Sequence, residues 1–165
     1  MKNKMGAGVL GAVVLFVATG SLWAHHSDAV YDLTRLVKIK GSITEHQFIN
    51  PHQIISMKVK DLNGRVVVWQ LVGASVARNR AAGWTKDSLK VGEEVTVWGF
   101  PFKDGRPNLQ WERIVKAGGT PLRIPPGAIN DKLARYLATY GKEQLSAEEY
   151  QVLKESISFE PFKQQ

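Results

Sequence analysis

Asn63-Gly64 separates two runs that each alternate apolar and polar residues, and this constrains the fold more than any other feature of the chain. An Asn-Gly pair between such runs marks a tight turn with positive φ. It therefore predicts Ile54 to Asp61 and Val66 to Val72 as neighbouring antiparallel strands. In the first run Ile55, Met57 and Val59 share one face, while Lys58 and Lys60 share the other.

The rest of the chain can be read outward from this hairpin. Val37, Ile39 and Ile43 alternate with Lys38, Lys40 and Ser42, and Gly41 interrupts them where a strongly bent strand needs room. The first strand is thus expected over Leu36 to Phe48, closed by a turn at Asn50-Pro51. Ala74 to Ala82 contains no Pro or Gly and stops at Gly83, predicting a short helix, and Thr85 to Ser88 can cap one more turn. Val95 to Phe100 and Leu109 to Val115 are the last two strands, joined by a loop holding Pro101, Asp104-Gly105 and Pro107. Three strands, a helix and two strands, with a glycine-bent first strand, is the order of the five-stranded OB barrel. Five strands bury two faces poorly as an open sheet, which favours closure. The expected class is mainly β, an OB-like barrel with one inserted helix; a small β-sandwich is the alternative.

Both ends of the chain differ from this middle. Lys2 and Lys4, the apolar stretch Val9 to Val17 and the small residue Ala24 form the three-part pattern of a secretory signal peptide over residues 1 to 24. The alternative is an uncleaved anchor, since about 20 apolar residues span a bilayer. Export places the protein in the periplasm or outside the cell, with cleavage near Ala24. The barrel domain then covers residues 25 to 118, and Gly119 to Pro126 form a Gly/Pro linker. A helical hairpin follows over 127 to 165, with Leu133, Leu137 and Tyr140 on one stripe and a capping box opening at Ser146-Ala147-Glu148-Glu149.

Losing Lys2 and Lys4 lowers the formal net charge from +7 to +5, all of it before residue 119. A basic balance attracts any anionic partner, and export makes nucleic acid the weaker candidate. With no cysteine, there are no disulfides, thiolate metal sites or thiol nucleophiles. Gly-x-Ser-x-Gly, phosphate-loop and His-Glu-x-x-His motifs are also absent, so the expectation is a binding protein and not an enzyme.

All four histidines fall between positions 25 and 52. Imidazole is the remaining ligand for a borderline metal, so His25, His26 and His52 are candidate ligands for copper or zinc. A cut after Ala24 frees the α-amine of His25 as a further nitrogen. The bland alternative has a solvated terminal pair, His46 facing water beside Glu45, and His52 bonded to its turn. In an OB barrel the loops after strands one and four border the usual ligand face, which adds Asn50, Asp104 and Arg106 as ligand-binding candidates. Trp98 and Phe100 share a strand face: they either stack on a sugar or base or lie beneath the C-terminal helices. A cell-envelope adaptor that binds a protein or glycan through these rings and the Lys58, Lys60 face is the competing function.

Several segments together carry a family resemblance: Ala24-His25-His26-Ser27, Ile49-Asn50-Pro51-His52, the block Gly83-Trp84-Thr85-Lys86-Asp87-Ser88-Leu89-Lys90-Val91-Gly92-Glu93-Glu94-Val95, and Lys103-Asp104-Gly105. Over residues 24 to 116 the chain resembles a family of small exported bacterial proteins designated domain of unknown function 6152. The resemblance implies a signal peptide followed by one compact β-rich domain, with His25, His26, Asn50 and His52 at motif positions. Asp28 stands where an aromatic residue is usual, and the helical tail lies outside the resemblance.

Overall fold

A computed structural model describes residues 28–51, 53–124 and 128–157. The segment expected to be a signal peptide, together with His25, His26 and His52, lies outside the described residues.

The five expected strands form. They are β1 (Val37–Gln47), β2 (Ile54–Lys60), β3 (Val66–Val72), β4 (Glu94–Pro101) and β5 (Asn108–Lys116), with helix α1 (Val76–Ala81) inserted after β3. They close as a barrel in the order β1-β2-β3-β5-β4. β1 serves both halves: Gly41 to Gln47 pair with β2, and Val37 to Ser42 pair with β4. A Cβ on Gly41 would lie 2.0 Å from the Lys58 carbonyl oxygen, so glycine is what lets β2 close over the bend. The bulge itself falls later in β1, where the register slips between Ile43 and Glu45.

Asp61, expected at the end of a strand, instead caps the hairpin. Its Oδ1 accepts from the amides of Asn63 (2.8 Å) and Arg65 (2.9 Å), and Gly64 takes φ +78°.

Ile43, Ile55, Met57, Leu71, Val97 and Trp111 fill the barrel interior, and Trp84 stacks on Trp111 at 5.3 Å to plug it. The Trp84 indole donates to the Arg123 carbonyl at 2.7 Å. That bond holds the expected linker against the barrel, where Leu122 N also donates to Ile114 O at 2.9 Å.

The tail comprises α2 (Ala128–Tyr136), a π-helical turn (Leu137–Gly141), the short α3 (Lys142–Gln144) and α4 (Ala147–Ile157). Gly141 is helical and does not stop the helix. A Cβ there would lie 3.1 Å from Tyr150, so its smallness lets α4 approach. The expected capping box forms reciprocally between Ser146 and Glu149, Ser146 Oγ accepting from Glu149 N at 3.2 Å and a Glu149 carboxylate oxygen accepting from Ser146 N at 3.3 Å. Leu133, Tyr136, Leu137 and Leu153 bury a second core against the outside of β4. No helix among the described residues is long and apolar enough to cross a membrane.

Candidate ligand-binding face

Strand register places the two loops singled out from sequence at one end of the barrel. Gln47 pairs with Ile54, Ile55 with Leu71, Leu71 with Leu109, and Leu109 with Pro101. That row carries the β1–β2 loop on one side and the β4–β5 loop on the other. Asn50 is exposed beside a cis Asn50–Pro51 peptide, and the Pro51 carbonyl accepts from Val76 N at 3.2 Å, tying the first loop to α1.

In the second loop Asp104 and Arg106 serve each other. Arg106 Nε donates to Asp104 at 2.8 Å while its guanidinium lies 5.0 Å from the Phe102 ring centroid. The backbone amide of Arg106 is the first cause holding the Asp104 carboxyl below its ordinary value, with the guanidinium assisting.

The aromatic expectation is corrected. Trp98 is 7% exposed and Phe100 0%, both in the core that the tail covers, with Phe100 packed edge-on against Tyr136 at 5.7 Å. The tail buries them because β4 turns that face away from the barrel interior, where Val95 and Val97 point. Stacking on a ligand therefore has no platform at these two positions.

His46 is partly buried and its ring is engaged by the protein. Its Nδ1 lies 3.2 Å from the Leu89 carbonyl and its Nε2 3.4 Å from the Gln53 side chain. The described residues include no group of three or more His, Asp or Glu side chains positioned to hold a metal.

The outward face of β1–β2–β3 holds the clearest assembly. Lys58 pairs across the ladder with Val68 and Ser42, Lys60 with Val66, and Lys40 joins them from β1. Lys40, Ser42, Lys58, Lys60, Val66 and Glu94 line a groove of about 400 Å³. None of the three lysines forms an ion pair among the described residues, and Val66 and Val68 remain 55% and 46% exposed. The sequence reading found Lys58 and Lys60 but missed Lys40 and the two valines. Hairpin register was the available signal, since it sets each valine opposite a lysine. The exposed large apolar side chains among the described residues are all aliphatic, so this face offers cationic and aliphatic contact without a stacking ring.

A second ionisable site went unread. Glu112 is the extra residue at a bulge in β5, fully buried, and neither carboxyl oxygen has a hydrogen-bond partner among the described residues. Burial pushes its carboxyl well above the ordinary range, an effect opposed by the nearby Lys132 ammonium. Lys132 in turn pairs with Asp28 and donates to Gln110 at 3.3 Å.

Residues 13–109 match the Family of unknown function (DUF6152). No curated protein matches the chain. Among solved structures, the crystal structure of the S. pombe Stn1-Ten1 complex is similar, with 15% identity and a TM-score of 0.38 over 73% of this chain and 77% of that one.

Proposed function

The chain belongs to the Family of unknown function (DUF6152), and from that premise we propose that it is an exported, non-enzymatic binding protein that takes an acidic protein partner on the outward face of β1–β2–β3. The observation that carries this reading is the set Lys40, Lys58 and Lys60, gathered from two strands around an open groove where, among the described residues, none of them forms an ion pair and Glu94 is the single acidic lining residue. Three lysines against one glutamate leave the groove with an excess of positive charge, which an acidic partner would neutralise. Aliphatic Val66 and Val68 beside them suit a protein surface better than a sugar or base, which would be expected to meet a ring. Export is supported by the tripartite N-terminus, and a non-enzymatic role by the absence of catalytic motifs from the sequence. The test is affinity capture from the envelope fraction of the source cell, using the wild-type chain and the variant Lys40→Glu/Lys58→Glu/Lys60→Glu. A partner retained by the first, released by salt and lost from the second is expected. Equal recovery by both overturns the reading.

A second reading is carried by the sequence: His25, His26 and His52 bind copper or zinc, with the His25 α-amine contributing if cleavage follows Ala24. Pro51, the residue preceding His52 in sequence, is held to α1 through its carbonyl. Calorimetric copper titration of the processed protein should show one saturable site that is lost in His25→Ala and in His52→Ala. A titration with no site, or with one indifferent to both changes, overturns it.

A further inference from the structure

The barrel closes unevenly. β3 pairs with β2 along Val66 to Leu71, but it meets β5 only over Gln70 to Val72. On the side away from β2, Val66 to Trp69 have no strand partner among the described residues. Gln70 N donates to the Pro107 carbonyl at 3.0 Å, so the amide of Gln70 points away from β2. Peptide groups alternate direction along a strand, and no bulge interrupts this ladder. Val68 and Val66 therefore also point their N–H and C=O groups to that open side.

We propose that this edge is a strand-addition site, where an extended acidic peptide segment of the partner pairs with the backbone of Val66 and Val68. The inference rests on the reading that the β1–β2–β3 face takes a partner, and it names how that partner is held. Backbone pairing supplies register and affinity, while side chains on alternate positions supply choice. An added strand would sit about 4.8 Å from β3 and about 9.6 Å from β2, so a glutamate on its outward side comes within reach of the Lys58 and Lys60 ammonium groups. The exposed Val66 and Val68 share that outward face, each directly opposite one of the lysines, so the glutamate stem would lie along them. Charge decides against a second copy of this chain as occupant. Pairing two β3 edges would set Lys58 and Lys60 of one copy near the same groups of the other. An acidic strand turns the same repulsion into attraction.

The probe is a capped heptapeptide alternating glutamate and valine, titrated into the full chain by calorimetry. Two further copies of the peptide are N-methylated, one on its glutamate amides and one on its valine amides. Strand addition has one set of amides facing β3 and the other facing water. One methylated peptide should therefore bind at least about tenfold more weakly and the other about as well as the parent, the weakening expected for losing one or two net hydrogen bonds. Val68→Pro should weaken the parent peptide about as much, because proline removes only the donor on the open side and is tolerated on a strand edge. Should Val68→Pro fail to fold, hydrogen exchange on the wild-type chain reads the same contact, with the Val66 and Val68 amides slowing when the parent peptide saturates.

No peptide binding overturns strand addition, as does unchanged exchange at Val66 and Val68. If both methylated peptides bind as the parent does, and Lys58→Glu/Lys60→Glu abolishes all three, strand addition is overturned while the acidic-partner reading of the face stands. Loss of capture by the triple lysine variant tests that reading separately.

Discussion

Lys38 of β1 joins the barrel to its helical tail: its Nζ donates to Glu149 Oε1 of α4 at 2.9 Å and lies 5.2 Å from the centroid of the Trp98 ring. The hydrogen bond from Lys38 is the first cause holding the Glu149 carboxyl below its ordinary value. The pair's contribution is therefore present above the unfolded carboxyl value and fades as pH falls through the lower folded one. Lys38 is half exposed, and a pair so placed contributes less than about 1 kcal/mol.

Burial of Trp98, and not this ion pair, should hold the tail. Trp98→Ala is expected to destabilise by about 3–5 kcal/mol, the range for emptying a core aromatic, and Lys38→Ala by less than about 1 kcal/mol. Urea denaturation ranks the two. Limited proteolysis should cut the tail of Trp98→Ala first, and a tail that stays protected in that variant would place its anchor elsewhere.

Glu112 predicts a pH dependence of the opposite sense. Its folded carboxyl is pushed up by burial, so the unfolded chain gives up that proton first as pH rises. Stability is then full below the unfolded carboxyl value of about 4.3 and declines as pH climbs from there toward the raised folded value. Glu112→Gln removes the ionisation and keeps the shape. It should be more stable than wild type at pH 8 by more than about 1 kcal/mol, and nearly equal to it at pH 4. Denaturant midpoints at the two pH values check this, and a variant weaker at pH 8 would mean that the charged carboxylate is satisfied.

Gly41→Ala tests the bend in β1. The added methyl would meet the Lys58 carbonyl oxygen at 2.0 Å, and backbone cannot rotate aside as a side chain can. The expected loss exceeds about 2 kcal/mol. Gly118→Ala is the control, since nothing lies within 4 Å of its added carbon. It should change stability by less than about 1 kcal/mol. Equal melting temperatures for the two variants would remove the close approach as the reason for Gly41.

What the sequence revealed follows from which interactions are local. Asn63-Gly64 and the alternation around it define the hairpin because turn and register are set within a few residues, and the Ser146 to Glu149 box is visible for the same reason. Trp98 and Phe100 were correctly read as sharing a face, but which face is covered depends on a tail more than 30 residues away in sequence. Burial of Glu112 depends on a bulge that moves the inward phase of β5 from Leu109 and Trp111 to Ile114, and which residue is the extra one is set by pairing with β4. The lysine groove joins positions on β1, β2 and β3, so it becomes legible only once their register is known. His46 looked solvated beside Glu45 because its acceptor, the Leu89 carbonyl, is 43 residues distant.

That contact fixes the chemistry of the His46 ring. A carbonyl only accepts, so Nδ1 must carry the proton facing Leu89, and in the neutral ring Nε2 is left as an acceptor. Nε2 faces the Gln53 amide, whose own nitrogen is buried without a partner among the described residues. A half-turn of that amide satisfies both groups, its nitrogen donating to Nε2. Long-range proton–nitrogen NMR near pH 8 should therefore find His46 in the Nδ1–H tautomer, and the opposite tautomer would sever the link to Leu89. His46→Ala leaves the Leu89 carbonyl and the buried Gln53 amide unpaired, a loss expected at about 1–3 kcal/mol in urea denaturation. His46→Asn, which can still donate to Leu89, should recover part of it, and failure of that rescue alongside a full loss in His46→Ala would assign the cost to packing against Phe48 and Trp84.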